Sequence, residues 1–108
     1  MDEVKLNLNE KGHGAFIITN DEEQLGEMVI SINDKNLTVY HTEVSPKAEG
    51  KGFAKKMLNA MVDYARKNEL KVIPLCPYVH AQFMRHPNDY ADIWHKDGEK
   101  KGSDKPGS

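Results

Sequence analysis

The sequence predicts an α+β fold in which an antiparallel meander of about four strands is followed by a helix, a fifth strand and a second helix. Three observations carry that prediction. Apolar and polar residues alternate up to Val44, which is the period of a half-buried strand. After Pro46 the spacing becomes helical, with Phe53, Met57, Met61 and Ala65 on one stripe. Between the two patterns lies a glycine-rich turn, Glu49-Gly50-Lys51-Gly52-Phe53-Ala54.

In the first strand Val4, Leu6 and Leu8 alternate with Lys5, Asn7 and Asn9. Gly12-His13-Gly14 breaks the pattern, and Ala15-Phe16-Ile17-Ile18 forms a second strand. Asn20-Asp21-Glu22-Glu23 is turn chemistry, after which Met28, Ile30 and Ile32 alternate with Glu27 and Ser31 in a third strand. Asn33-Asp34-Lys35-Asn36 is hairpin sequence, rich in residues that tolerate left-handed backbone. In the fourth strand, Leu37 to Val44, simple alternation puts Val39, His41 and Glu43 on one face and Thr38, Tyr40 and Thr42 on the other.

Lys55, Lys56, Asn59, Asp63 and Arg66 form the polar side of the first helix, and Asn68 is its expected left-handed stop. Leu70 to Leu75 is a short buried-type strand that Pro74 places at an edge or ends in a bulge. Pro77 suits the first turn of the second helix, Tyr78 to Arg85. Tyr90, Ile93 and Trp94 form a last docking segment. Residues 1–96 therefore make one domain, and from Asp97 the dominance of Gly, Ser, Lys, Asp and Pro predicts a disordered tail over 97–108.

Composition narrows the function classes. A chain of 108 residues builds one small domain. Its 38% hydrophobic share and mean hydropathy of -0.71 demand an economical core. A net charge of -2 argues against nonspecific nucleic-acid binding, which needs a basic surface. No run approaches the roughly 18 apolar residues of a membrane helix, so no membrane partner is expected. Met1-Asp2-Glu3 opens neither a secretory leader nor a transit peptide. With Cys76 as the one cysteine, no disulfide framework arises and the cytoplasm is the expected compartment. His13, His41, His80, His86 and His95 are scattered, so no metal site is expected.

The glycine turn is the most informative stretch. Gly50 and Gly52 let backbone N–H groups approach a ligand, and the helix start adds unpaired donors and a partial positive charge. Lys47, Lys51, Lys55 and Lys56 surround it with Glu49 opposing. These features suit phosphate oxygens, as they also suit an ordinary solubilised loop. A Walker loop wants glycine-lysine followed by serine or threonine, and here Gly52 is followed by Phe53, while a dinucleotide fingerprint belongs to a parallel βαβ unit.

Taken together, His41-Thr42-Glu43-Val44, the turn from Glu49 to Ala54, and Ile73-Pro74-Leu75-Cys76-Pro77-Tyr78-Val79 resemble the GNAT acetyltransferase superfamily, in particular its compact YjdJ-type single-domain subgroup. The resemblance runs from about Leu25 to Trp94. It implies a GNAT-like acyl-CoA N-acyltransferase fold, acetyl-CoA as co-substrate and an amine as acceptor. By the same resemblance the backbone around Glu43, Val44 and Ser45 holds the pantetheine arm. The N–H groups of Gly50, Lys51, Gly52, Phe53, Ala54 and Lys55 hold the pyrophosphate. The next strand splays away, leaving a slot for the thioester near Cys76. Two positions depart from the family pattern: Glu49 stands where arginine or glutamine is usual, and Phe83 or Met84 falls where a tyrosine acid is usual. The helical pair between the first two strands of larger members is missing too, with Lys11 to Gly14 as the connection. That leaves the acceptor side open to a protein terminus or lysine, or to completion by a second subunit, in a monomer or weak homodimer.

Amine acetylation needs a deprotonated amine and a donor for the developing oxyanion. Cys76, before Pro77 at a helix start, is a candidate to accept the acetyl group itself, because the helix dipole favours a thiolate; the alternative is a small packing residue. His41 is the candidate base, and Glu43 is a candidate to orient it or to act through water. Tyr78 is assigned to the cofactor side, able to donate to the leaving thiolate, while His80 and His86 are assigned to the surface. Two other functions stay open: a noncatalytic acetyl-CoA or CoA binder, and an interaction module using the sheet and the Tyr90-Ile93-Trp94 segment.

Overall fold

The computed structural model describes residues 2–95, so the expected tail lies outside the described residues. The elements run β1 (Asp2–Leu8), β2 (His13–Asn20), β3 (Glu23–Asn33), β4 (Asn36–Val44), a 3-10 turn (Pro46–Ala48), α1 (Phe53–Lys67), β5 (Lys71–Pro74), α2 (Pro77–Arg85) and α3 (Pro87–Tyr90). The strands form one sheet in the order β1-β2-β3-β4-β5. The first three pairings are antiparallel, and β5 runs parallel to β4, as a strand reached through a crossover helix must.

Turn chemistry sets the hairpins. Asp21 and Glu22 both have positive φ, 52 and 68, the backbone of a two-residue turn whose twist matches the strands. Asp34, with φ 57, does the same between β3 and β4. Helix α1 ends differently from the sequence expectation. Asn68 keeps φ -103 and uses its side-chain amide to cap the Tyr64 carbonyl at 2.9 Å. The left-handed residue is Glu69, φ 57.

The core lies between one face of the sheet and the helices. Phe16, Ile18, Met28, Ile30, Leu37 and Val39 meet Met57, Leu58, Met61 and Ala65 of α1, all buried. Gly26 of β3 leaves room for the Met57 methyl, which would sit 3.1 Å from an added Cβ. Helix α2 lies on the same side of the sheet. Its Phe83 stacks on Tyr90 with ring centroids 4.7 Å apart and packs edge-on against Trp94 at 5.5 Å. The result is two layers, with extents of 48 × 31 × 20 Å.

The C-terminal segment closes the far edge. Val72 donates its N–H to Ile93 at 2.6 Å and accepts from the His95 N–H at 2.9 Å, and Trp94 bridges Val72 in parallel. Arg66 of α1 holds this segment through Asp92, Nε to Oδ2 at 2.9 Å.

One irregularity changes the sequence-based arrangement of β4. Val29 pairs with His41 and Ile30 with Val39, so Tyr40 has no partner of its own. This β-bulge shifts the alternation by one. Val39 and Thr42 therefore face the helices, being opposite the buried Ile30 and Met28. Tyr40, His41 and Glu43 face away, and His41 does not share the face of Val39.

Candidate functional site

The glycine turn has the backbone the sequence demands. Gly50 and Gly52 take φ +82 and +78, and a Cβ on either would project into space holding nothing within 4 Å. Gly52 is the N-cap of α1, with no side-chain cap. The first helical bond runs from the Lys56 N–H to the Gly52 carbonyl at 3.1 Å. The N–H groups of Phe53, Ala54 and Lys55 precede that bond and have no intrahelical acceptor. The Phe53 side chain is buried, so Phe53 offers a ligand its backbone alone. The donors and the open space fit an anionic group such as a pyrophosphate.

The local charge excess is smaller than sequence counting implies. Lys47 is ion-paired with Glu23, which the β2–β3 hairpin brings alongside. The Lys56 ammonium stands 5.6 Å from the Phe53 ring centre. Lys51 and Lys55 stay exposed beside the turn.

A slot opens next to this turn. Pairing of β4 with β5 stops at Val39 and Pro74, followed by one further bond from the Cys76 N–H to the Val39 carbonyl at 2.9 Å. From there β5 gives way to α2, with Cys76 as its N-cap and Pro77 in its first turn. The β4 edge from Tyr40 to Val44 thus carries no β5 partner. Cys76 is 1% exposed, and its Sγ lies 3.3 Å from the Thr42 hydroxyl. Tyr78 is half-buried. Burial, then the neighbouring Tyr90 and Cys76, push its hydroxyl pKa above the usual value, so Tyr78 keeps its proton at neutral pH.

On the opposite face of β4, His41 and Glu43 meet a residue of β3. The ligating atoms of Glu27, His41 and Glu43 all lie within 4.8 Å of one another. Glu27 and Glu43 also line a cavity of about 280 Å³ with Leu25, Val44 and Ser45. Predicted pantetheine residues and predicted acid–base residues therefore adjoin at one end of β4. His80 and His86 are exposed on the surface.

Two members of the site escaped sequence reasoning. Thr42 sits inside a motif whose flanking residues drew attention, and only the bulge turns it toward Cys76. Glu27 read as an outward polar position of a strand. Its register opposite Glu43 is the signal, and that needs the pairing of two strands to be known.

Comparison with known proteins places this geometry. Residues 15–93 match the model of the GCN5-related N-acetyl-transferase family. No curated protein matches the chain. Among solved structures, a GCN5-like protein from Staphylococcus aureus is similar with a TM-score of 0.60 at 29% identity, over 83% of this chain and 86% of its own. The ribosomal-protein-S18-alanine N-acetyltransferase from Escherichia coli has a TM-score of 0.57 at 13% identity, over 61% of this chain and 43% of that enzyme. The ribosomal-protein-alanine N-acetyltransferase from Brucella melitensis biovar Abortus 2308 has a TM-score of 0.62 at 17% identity, over 71% of this chain and 62% of its own. The latter two share the fold, and this chain spans less than two thirds of either. With the family model covering 15–93, well over half of the sequence, this chain belongs to the GCN5-related N-acetyltransferase family.

Proposed function

We propose that the protein transfers an acetyl group from acetyl-CoA to an amine. The observation that carries this reading is the parting of β4 from β5 after Val39 and Pro74, beside the left-handed turn at Gly50 and Gly52. An unpartnered strand edge suits the amides of a pantetheine arm. The free N–H groups at the start of α1 suit a pyrophosphate. Bound there, acetyl-CoA supplies the activated acyl group, and the chain's own residues do the rest. Val44 and Ser45 hold the arm, and Gly50 to Lys55 hold the phosphates. His41 takes a proton from the acceptor ammonium. The amine nitrogen then bonds the thioester carbonyl carbon, the carbon–sulfur bond breaks, and CoA leaves as its thiolate. The second proton lost by the nitrogen balances the one the thiolate gains. In this reading Tyr78, which retains its proton, donates it.

The contact between Cys76 and Thr42 favours a second route, in which Cys76 accepts the acetyl group and passes it on. A thiol 1% exposed requires the slot to open for that exchange, whereas direct attack does not. Within the family we assign the chain to the compact YjdJ-type subgroup, and we place it in the cytoplasm as a monomer or weak homodimer. No described helix is long and apolar enough to cross a membrane. The acceptor is an exposed amine of a small molecule or a protein.

The test uses alanyl-lysine dipeptide, which carries an α-amine and an ε-amine, with intact-mass spectrometry of wild type and Cys76→Ala. The expected result is acetylated dipeptide with stoichiometric CoA release, retained in Cys76→Ala. Loss of transfer in that variant, with an acetyl adduct on wild type, would establish the covalent route. No transfer, no adduct and no thermal stabilisation by acetyl-CoA would leave the chain an interaction module. Stabilisation without transfer would make it a CoA binder.

A further inference from the structure

Glu27 and Glu43 stand directly opposite each other in the β3–β4 register. Like charges in that position destabilise a sheet. The cation that the register places in the same cross-strand row is Lys5 of β1, which stands across from Ile17, two strands from Glu27. Ile17 stands across from Glu27 on β2, and Ala15 across from Val29. Ser31 and Tyr40 satisfy each other at 2.8 Å, and Gln24 amide nitrogen approaches Glu27 Oε1 at 3.5 Å. Next to both carboxylates stands His41, which can become positive and whose ring nitrogen lies within 4.8 Å of each. It stands there because the bulge at Tyr40 moves it to this face. The ionisable groups against it are Glu27 from β3 and Glu43 from β4; further off on the same face are Lys5 of β1, across from Ile17, and His13 of β2, opposite Ser31, while β5 has already ended at Pro74.

We propose that Glu27 is a positioning residue for His41: with Glu43 it fixes the imidazole and stabilises the imidazolium formed when His41 takes a proton from the acceptor amine. This rests on the acetyl-transfer reading for its use, though not for its geometry. A carboxylate pair that repels when His41 is neutral attracts it once charged. The interaction is therefore stronger in the protonated state than in the resting one, which is where a base needs help. Glu27 is half-buried while His41 and Glu43 are exposed, so Glu27 is the less mobile of the two carboxylates and the better orienting group.

Four proteins decide it: wild type, Glu27→Gln, His41→Gln and the double variant, assayed with acetyl-CoA and alanyl-lysine. Glu27→Gln should lower kcat about tenfold, leave the KM for acetyl-CoA unchanged, and raise the melting temperature or leave it unchanged. The double variant should be no slower than His41→Gln. By ¹⁵N NMR, the neutral His41 ring should hold one tautomer in wild type and both in Glu27→Gln. A structural strand residue would give the opposite stability result and leave the tautomer alone.

Independent, multiplying losses in the two single variants would overturn the proposal, as would an unchanged tautomer. Activation by Zn²⁺ or Mn²⁺ that a chelator abolishes would also overturn it, since the three groups would then hold a cation. If wild type acetylates neither amine, the functional reading fails, and the tautomer and stability measurements still judge the pairing.

Discussion

At the scale of single residues, two glycines do what no other residue does without strain. Gly50 and Gly52 sit at φ +82 and +78 with open space where a side chain would go. A left-handed L-residue costs about 1–2 kcal/mol, and its Cβ would enter the volume assigned to phosphate. Gly52→Ala should therefore lower thermal stability by about 1 kcal/mol and reduce the extra stabilisation acetyl-CoA confers. Differential scanning calorimetry with and without acetyl-CoA measures both, and an undiminished ligand shift would remove the turn from the binding site. These glycines were legible because a strand pattern stopped and a helix pattern began around them. The Lys47–Glu23 pair was not, since nothing local to either residue says that the β2–β3 hairpin lies beside the turn.

At the scale of elements, the strands and both long helices follow from hydrophobic period and turn residues. What the period missed is the phase of β4. Alternation within β4 alone cannot reveal a bulge, because the extra residue is defined by its missing partner on β3. Asn68 and Glu69 show a similar limit at the end of α1. Asparagine tolerates the left-handed region, yet here its side chain takes the Tyr64 carbonyl and the next residue turns the chain. The segment after α3 is held by Arg66 and Asp92. Hydrogen bonds from Arg66, then its charge, hold the Asp92 carboxyl below its ordinary 3.8. A depressed carboxyl stabilises the fold above that ordinary value, and the contribution fades as pH falls below it. Both side chains are about half exposed, 44% and 57%, so screening keeps the effect under about 1 kcal/mol. Asp92→Asn should lose that amount at neutral pH and show a flatter acid-unfolding curve below pH 3.8, measured by circular dichroism.

At the scale of the whole molecule, the helices cover one face of a sheet whose other face carries His41, Glu43 and the 45% exposed Tyr40. Among the described residues no third layer covers that face, and the shortest extent is 20 Å. The compact arrangement was expected from the short Lys11 to Gly14 connection, which leaves no chain for covering helices between β1 and β2. In the acetyl transfer proposed above, solvent reaches the face that carries His41 and Glu43. Water then competes with the amine for the same thioester, and a base that activates one can activate the other. Acetate should form from acetyl-CoA when no amine is present, at a rate that His41→Gln lowers, measurable by CoA release coupled to acetate detection. As amine concentration rises, acetylated product should overtake acetate and total CoA release should rise with it, as direct attack requires. On that proposal the open face makes fidelity a matter of concentration: commitment to the acceptor is set by how well the amine outcompetes water.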